Sequence, residues 1–305
     1  MSKKILIVGG SGYIGRQLFA RLGHERAVAT HHAHPFPGSV AFDPLTTHPE
    51  EWLAAHGPFS TAILLMGATR VDACSKDPAG TDPINIHAVQ SVIRACLQQG
   101  IHPLFTSSDV VFDGHKGHYD ESNPPAPLVQ YGRQKHHIEQ FLHATDAPHT
   151  LIRLPKVYDS DPQGSSLLAH WWQAIQRRTP IRSATDRIFS PVRVEDVIEG
   201  MITLTQSGQS GTWHLGGPVA VSMAGLFELF AARLREADPA MPDPDHTTCG
   251  INDLGFQERW PLDISLNSDR WIQTTGIAPQ TPDAVVDAFI ARLRLPFESQ
   301  CGKSA

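Results

Sequence analysis

A strand, a glycine-rich turn and a helix follow one another without interruption near the amino terminus. The run KILIVGG (4–10) is continuously apolar and ends in glycines, which is typical of a buried parallel strand. Gly9, Gly12 and Gly15 then recur in a G-x-x-G-x-x-G spacing, and YIGRQLFARL continues with helical periodicity. Glycine permits a tight turn and lets the backbone approach a pyrophosphate, while the start of a helix offers free N–H groups. This order of elements favours a dinucleotide-binding turn over a plain strand–helix turn.

Apolar runs and helical patterns alternate through the first half of the chain. This alternation predicts an α/β fold with a Rossmann-type, doubly wound parallel sheet. After about residue 155 the alternation weakens and Pro and Gly punctuation increases. We therefore expect a dinucleotide-binding Rossmann domain over 1–155 and a smaller carboxy-terminal substrate-binding lobe over 156–305, partly interleaved with the first. The further predicted strands are AVAT (27–30), TAILLM (61–66), HPLFTSS (102–108) and HTLIRL (149–154), and helices are predicted over 84–99 and 131–144.

Composition and charge exclude several classes of protein. The formal net charge of −6 makes nucleic acid and acidic membranes poor partners. No apolar run approaches the roughly 18 residues of a membrane span, and the chain enters its first strand without a secretion signal, so a cytoplasmic protein is expected. The 17 histidines, densest at 31–34, lack metal-ligand spacing, and no metal site is predicted. The cysteines have neither disulfide-like nor metal-like spacing and are expected to be reduced; they are Cys74, Cys96, Cys249 and Cys301.

The end of the second predicted strand bears on the choice of nucleotide. Dinucleotide folds often place an acid there to hold the ribose 2′-hydroxyl, but AVATHHAH contains neither Asp nor Glu. Without that carboxylate a 2′-phosphate meets no repulsion, and Arg16 and His31 lie where they could contact it. NADP is therefore favoured over NAD as the cofactor. Asp43 in FDPLT is expected near the adenine ring or, equally, as a turn residue.

A tyrosine and a lysine stand four residues apart in YGRQK (131–135). Positions i and i+4 share one face of a helix, so Tyr131 and Lys135 can point into one pocket. Ile138 and Leu142 continue the helical spacing. Such a pair also arises by chance, as a surface lysine beside a half-buried tyrosine, so its meaning depends on the rest of the chain.

Three segments together resemble a known family. GGSGYIG, TSSDVVFDG (106–114) and YGRQK resemble the extended short-chain dehydrogenase/reductases, and within them the dTDP-4-dehydrorhamnose reductase group, whose pattern is S-T-D-Y-V-F-D-G followed by Y-G-x-x-K. The resemblance continues through looser matches at SPVRVEDV, GTWHLGGP and PLDISLNSDRW. It implies an NADP(H)-dependent reductase that transfers a hydride to a carbonyl, either of a 4-keto nucleotide sugar or of a related small carbonyl compound.

The resemblance assigns catalytic roles to three positions. The family's tyrosine acid/base falls on Tyr131, its lysine on Lys135 and its active-site threonine on Ser108, with Ser107 as the neighbouring alternative. Tyrosine titrates near pH 10, so exchange near neutrality requires its pKa to fall by roughly 3 units, about 4 kcal/mol. The Lys135 ammonium and a positively charged nicotinamide can supply that shift. Ser108 is expected to hydrogen-bond the substrate oxygen, and Lys135 to reach the nicotinamide ribose as well.

Cofactor contacts are expected along the glycine turn, after the following strands and beside the nicotinamide. Asn85 resembles the family's asparagine before the serine strand, or else caps a helix. The expected cofactor residues are Gly9, Ser11, Gly12, Tyr13, Ile14, Arg16, His31, Asp43, Pro44, Leu65, Met66, Gly67, Tyr131, Lys135, Pro155 and Tyr158.

Substrate contacts are expected where the chain departs from the family pattern. Val110 replaces the family's tyrosine, Arg187 its glutamine and Phe189 its glycine, so the particular sugar does not follow. The expected substrate residues are Ser108, Asp109, Val110 and Arg187. Several arginines of this stretch could bind a nucleotide-sugar diphosphate, or could equally form a solvated basic face; they are Arg177, Arg178, Arg182, Arg187 and Arg193.

Two other functions use the same scaffold. One is epimerisation or dehydration of a nucleotide sugar, although dehydratases usually carry an Asp–Glu pair where Ser108 is followed by DVVF. The other is a nucleotide-binding regulatory subunit without turnover, as in the methionine adenosyltransferase beta subunit that shares the fold. The expected partner is a small carbonyl substrate. The exact substrate, any metal requirement and the oligomeric state, with a homodimer among the options, do not follow from the sequence.

Overall fold

The computed structural model describes residues 3–293. Residues 294–305 of the lobe expected over 156–305, including Cys301, lie outside the described residues. Within residues 3–293, no helix combines the length and apolarity needed to cross a bilayer. Over the same range, no three His, Cys, Asp or Glu side chains converge as metal ligands.

Strands and helices alternate through the first half of the fold. The strands are β1 (Lys4–Val8), β2 (Ala27–His31), β3 (Ser39–Ala41), β4 (Phe59–Leu64), β5 (His102–Ser108) and β6 (Thr150–Leu154). The helices are α1 (Tyr13–Leu22), α2 (Pro49–His56), α3 (Val71–Lys76), α4 (Pro78–Asp82), α5 (Val89–Gln98) and α6 (Gln130–His143). A π-helical turn (Pro83–Ala88) precedes α5, and a 3-10 turn (Asp109–Val111) follows β5.

Shorter strands and longer loops characterise the second half. The strands are β7 (Val157–Tyr158), β8 (Ile181–Ala184), β9 (Ile188–Phe189), β10 (Val192–Arg193), β11 (Gly211–His214), β12 (Val221–Ser222) and β13 (His246–Cys249). The helices are α7 (Leu167–Gln176), α8 (Val194–Gln206), α9 (Met223–Ala237), α10 (Asp269–Thr275) and α11 (Pro282–Leu293), and a 3-10 turn covers Ile251–Leu254.

Seven parallel strands form the central sheet in the order β11-β6-β5-β4-β1-β2-β3. Chain order reverses between β1 and β4, which opens a crevice at the carboxyl ends of these strands where dinucleotides bind in such folds. The predicted Rossmann-type sheet is therefore confirmed. β11 pairs with β6 in the central sheet, and α8 packs against α1. The second half of the chain therefore contributes a strand and a helix to the Rossmann-type layers.

Alternating residues of β1 pack on opposite faces of the sheet. Ile5 and Ile7 join a buried cluster with α1 and α8, whereas Leu6 and Val8 join a cluster with α5. A third buried cluster joins Tyr131 and the segment after β5 to Phe230 and other side chains from the second half of the chain. Because both faces of the central strands are covered, the strands appear in the sequence as continuous apolar runs.

The glycine turn between β1 and α1 depends on close backbone contacts. Gly9 has a φ of 85°, in the region that favours glycine. A Cβ on Gly15 would lie 2.6 Å from the Gly9 oxygen and 2.7 Å from the Gly10 Cα, whereas a Cβ on Gly12 would lie 3.3 Å from the Gly9 oxygen. The first helical turn therefore packs on the preceding turn at Gly15, while Gly12 is exposed.

Gly15→Ala is expected to destabilise the protein, because the new methyl group overlaps backbone atoms that cannot move independently. Overpacking of this kind costs about 1–3 kcal/mol. Urea unfolding measures the change. Gly12→Ala serves as the matched control and should cost less than Gly15→Ala; equal costs would contradict the packing described for Gly15.

Candidate active site

Helix α6 carries the tyrosine and the lysine of YGRQK on one buried face. The predicted helix over 131–144 is confirmed to within one residue. Its first turn is held by Glu258, whose carboxylate accepts the Gln130 backbone N–H at 2.7 Å. The same carboxylate binds Ser75 on α3 and Arg133 on α6. A loop from the second half of the chain therefore fixes the start of the helix next to Tyr131.

Tyr131 is buried with 8% of its surface exposed. Its hydroxyl forms no hydrogen bond within residues 3–293. Burial raises the pKa of Tyr131 well above its usual range, and the charges of Cys74 and Asp109 add to this effect. The protein alone does not produce the lowered pKa that the sequence suggested, because desolvation of the phenolate dominates. The side chain is instead kept protonated, as an acid must be.

Lys135 lies one helical turn further along the same face. Its Nζ donates to the Thr106 carbonyl oxygen at 2.8 Å and lies 4.7 Å from the Phe105 ring centroid and 5.6 Å from that of Tyr131. Burial lowers the pKa of Lys135 to about 8, while the charges of Glu139 and Cys74 oppose that shift. The ammonium therefore remains predominantly protonated at neutral pH, close to the tyrosine ring.

Ser107 and Ser108 point in opposite directions because successive strand residues alternate between faces. The Ser107 hydroxyl donates to Glu139 Oε1 at 2.5 Å inside the protein. The Ser108 hydroxyl is half-buried and donates to Asp109 Oδ1 at 3.0 Å. The geometry thus favours Ser108 over Ser107 as the hydroxyl that could meet a substrate.

A buried ion pair connects α6 to two strands. Arg153 on β6 binds Glu139 through Nη2 at 2.8 Å and Nε at 3.1 Å, and both side chains are almost fully buried. Arg153 Nη1 also donates to His214 Nε2 at 3.2 Å, and His214 Nδ1 then donates to the Tyr119 carbonyl oxygen. Burial pushes the pKa of Glu139 upward, but its hydrogen bonds and the Arg153 charge outweigh this and lower it to about 2. Burial and the Arg153 charge lower the pKa of His214 to about 3, so its ring is neutral.

Asn85 fixes the loop that follows β4. Its side chain accepts the Ala68 N–H at 2.7 Å, donates to the Ala68 oxygen at 3.0 Å and donates to Gln134 on α6 at 2.7 Å. Gly67 has a φ of 138°, and a Cβ there would lie 2.8 Å from the Asn85 amide oxygen. Asn85 lies within the π-helical turn, so the helix-cap alternative is wrong. The helix predicted over 84–99 is confirmed, with π-helical geometry over Pro83–Ala88 before α5.

The glycine turn suits an anionic ligand. Gly12 precedes α1 without a side-chain cap, so the first N–H groups of this ten-residue helix have no capping side chain and are free to bind an anion. The Tyr13 hydroxyl donates to Asp159 at 2.5 Å, which connects the turn to the second half of the chain. Arg16 donates to the Ser11 oxygen at 2.9 Å and lies 5.2 Å from the Phe36 ring centroid. These residues fit a dinucleotide whose phosphates approach the helix start.

The other expected cofactor residues differ in their exposure. His31 is hydrogen-bonded to Ser39 at 2.8 Å. The Asp43 carboxylate accepts the Leu45 N–H and the Thr46 hydroxyl, both at 3.0 Å, as a turn residue does. The Tyr158 side chain is fully buried, so its ring has no exposed surface to offer a cofactor in this conformation. Among the other expected cofactor residues, two are exposed, Gly12 and Gly67, and two are buried, Met66 and Pro155. The half-buried ones are Gly9, Ser11, Ile14, Pro44 and Leu65.

The arginine-rich stretch does not form one uniform surface. Arg187 is buried, lies 5.0 Å from the Trp260 ring centroid and donates to the Pro261 oxygen at 3.1 Å. Arg193 is paired with Asp196 at 2.6 Å. The remaining three are exposed: Arg177, Arg178 and Arg182. Arg187 is therefore the member of the stretch that interacts with the Ser108–Asp109 segment, through the charge of Asp109.

Four residues near the site were not expected from the sequence. Glu139 follows Lys135 at helical spacing, so extending the Tyr131–Lys135 face by one turn would have found it. Asp159, Glu258 and Trp260 reach the site from distant segments, and no local pattern marks them.

Comparison with known proteins identifies one matching family and several relatives. Residues 3–294 match the RmlD substrate binding domain family. The probable low-salt glycan biosynthesis reductase Agl14 of Haloferax volcanii is 30% identical over 158 residues, which cover 50% of this chain and 53% of that protein, so the chain spans about half the length of this relative. Methionine adenosyltransferase 2 subunit beta of Xenopus laevis is 23% identical over 295 residues, with 88% of each chain covered.

Solved structures share the fold. The dTDP-4-dehydrorhamnose reductase of Bacillus anthracis in complex with NADP superposes with a TM-score of 0.79 at 21% identity, covering 96% of this chain and 100% of that one. MoeE5 in complex with UDP-glucose and NAD gives a TM-score of 0.77 at 21% identity, covering 95% and 98%.

Removing the Glu139 carboxylate should be strongly destabilising, because it leaves the Arg153 guanidinium buried without its counter-ion. Breaking a buried pair from one side costs about 3–5 kcal/mol. Denaturant unfolding of Glu139→Ala measures this cost. The control is Glu199→Ala, which removes the exposed partner of Arg21 and should cost at most about 1 kcal/mol. A Glu139→Ala protein as stable as the control would contradict the proposed role of the pair.

Proposed function

Since the chain belongs to the RmlD substrate binding domain family of extended short-chain dehydrogenase/reductases, which are NAD(P)-dependent oxidoreductases, we propose that it reduces the carbonyl group of a 4-keto nucleotide sugar or a related small carbonyl compound with NADPH. The observation that carries this proposal is the placement of Tyr131 and Lys135 on one buried face of α6, with Ser108 at the end of the neighbouring β5. The proposed catalytic residues are these three side chains.

The protonation states and positions of Tyr131, Lys135 and Ser108 suggest a role for each side chain. The bound nicotinamide would supply the hydride. Tyr131 keeps its proton because burial raises its pKa, so it can donate to the oxygen that becomes negative as the carbonyl is reduced. Lys135 holds a positive charge 5.6 Å from the tyrosine ring centroid and stabilises the phenolate that remains. Ser108 orients the same substrate oxygen by hydrogen bonding.

The proposed cofactor site is the crevice between β1 and β4, with the glycine turn at its phosphate end. NADP is favoured because β2 ends without an acid and because Arg16 is held at the turn by the Ser11 oxygen and the Phe36 ring. Residues 156–293 would supply most of the residues that contact the substrate. Within this range, β11 belongs to the central sheet and α8 packs against α1. Arg187, buried beneath Trp260, is proposed as a substrate-side cation.

A regulatory subunit without turnover is the second candidate. It is favoured by one observation, the similarity to the methionine adenosyltransferase beta subunit along most of both chains. Both functions use the same nucleotide crevice, and they differ in whether Tyr131 is needed.

NADPH should bind more tightly than NADH, and Arg16→Ala should reduce that preference. A hydrogen bond to a charged phosphate contributes roughly 1.5–3 kcal/mol, which corresponds to about 10- to 150-fold in affinity. Titration followed by nicotinamide fluorescence measures both constants. Arg21→Ala on the same helix is the control, since Arg21 is paired with Glu199 instead. Equal affinities for both cofactors in the wild-type protein would contradict the assignment.

Tyr131→Phe should retain the fold and NADP binding but lose turnover, because the ring remains and only the hydroxyl is deleted. General acid catalysis contributes about 10²–10⁴-fold. The measurement is NADPH consumption with a panel of keto-sugar nucleotides and small carbonyl compounds, together with a melting curve. The control is Tyr119→Phe, which removes a hydroxyl bound to Asp113. A folded Tyr131→Phe protein with near-normal turnover would contradict the proposed role of Tyr131 and would favour the regulatory function.

A further inference from the structure

The Ser108 hydroxyl already has a hydrogen-bond acceptor in the structure. Its Oγ donates to Asp109 Oδ1 at 3.0 Å and accepts the Val110 N–H at 3.4 Å. A serine hydroxyl carries a single hydrogen. While that hydrogen is given to an ionised Asp109, Ser108 can offer a carbonyl oxygen only lone pairs, which repel it. The expected role of Ser108 therefore depends on the state of its neighbour.

Asp109 is buried between catalytic and cationic groups. It is 5% exposed, and none of the ion pairs formed within residues 3–293 includes it. Two cations interact with its charge, Lys156 after β6 and Arg187 between β8 and β9, and the Asp109 charge in turn raises the pKa of Tyr131 on α6. Burial raises the pKa of Asp109 to about 6, while Arg187 and the Ser108 hydrogen bond oppose the rise. The carboxyl group thus titrates within the range in which enzymes are assayed.

We propose that Asp109 is a positioning residue whose protonation sets the direction of the Ser108 hydroxyl. This inference rests on the proposed reductase function of the same site. When Asp109 is neutral, its O–H donates to Ser108 Oγ, and the Ser108 hydrogen is released to bind the substrate oxygen. When Asp109 is ionised, it takes the Ser108 hydrogen and the substrate oxygen loses one of its two donors. The proton on Asp109 comes from solvent and is not consumed, since Tyr131 supplies the proton of the reaction.

The pH dependence of reduction should reveal this switch. Wild-type turnover should fall about tenfold per pH unit above the midpoint of Asp109, near pH 6, until it approaches the rate of Ser108→Ala. Asp109→Asn cannot ionise, and its amide can donate to Ser108 as the neutral acid does. This variant should therefore show a pH-independent rate over the same range. A midpoint that persists in Asp109→Asn would overturn the proposal.

The Ser108→Ala variant separates positioning from a simple charge effect on Tyr131. If Asp109 acts through the Ser108 hydroxyl, the pH dependence near 6 must disappear when that hydroxyl is absent. If Asp109 acts on Tyr131 through its charge alone, the same pH dependence remains in Ser108→Ala. Persistence of the midpoint in this variant would therefore contradict the proposal even if Asp109→Asn failed to fold.

Infrared difference spectroscopy tests the hydrogen bond without any turnover. The carboxyl band lost in Asp109→Asn should titrate near pH 6 in the wild-type protein. In Ser108→Ala the midpoint should move upward, because the ionised carboxylate loses a donor that stabilises it. An unchanged midpoint would overturn the Asp109–Ser108 link. Absence of turnover with every carbonyl compound, together with the shifted midpoint, would instead count against the proposed reductase function.

Discussion

The buried ion pair between Glu139 and Arg153 is the interaction on which the geometry of the site depends. It joins the inner face of α6 to β6, and through Ser107 and His214 it extends to β5 and β11. A carboxylate withdrawn from water is tolerated only because two guanidinium nitrogens and a hydroxyl satisfy it. The consequence is a fixed rotation of α6, which directs Tyr131 and Lys135 towards the end of β5.

Segments beyond residue 155 complete the site from a distance. Glu258 binds the first backbone N–H of α6, Trp260 covers Arg187, and Asp159 binds the hydroxyl of Tyr13 in the glycine turn. These contacts place charged and aromatic groups of the second half against both the proposed catalytic helix and the proposed cofactor turn. The two halves of the chain are therefore coupled at the crevice, and the side of the site proposed for the substrate is built from both.

Elements whose residues follow a clear local pattern are predictable from the sequence. β5 was predicted with its observed bounds and α6 to within one residue, because continuous burial and helical spacing are visible in the chain. The alternation of side chains along β5 could also have separated Ser107 from Ser108 in advance. The π-helical turn was not predictable, because Asn85 is held there by Ala68 and Gln134, which are distant in sequence. The burial of Arg187 likewise depends on Trp260, and the raised pKa of Tyr131 on three-dimensional desolvation.

Transfer of a labelled hydride distinguishes reduction of a carbonyl group from binding of the nucleotide alone. The protein is incubated with NADPH that carries deuterium at the transferred position and with a panel of keto-sugar nucleotides and small carbonyl compounds, and the products are analysed by mass spectrometry. A reductase would give a product that carries one deuterium on the carbon of the former carbonyl group. Tight binding of NADPH without deuterium transfer to any compound of the panel would contradict the proposed reductase function, and would indicate that the crevice binds the nucleotide without catalysing reduction.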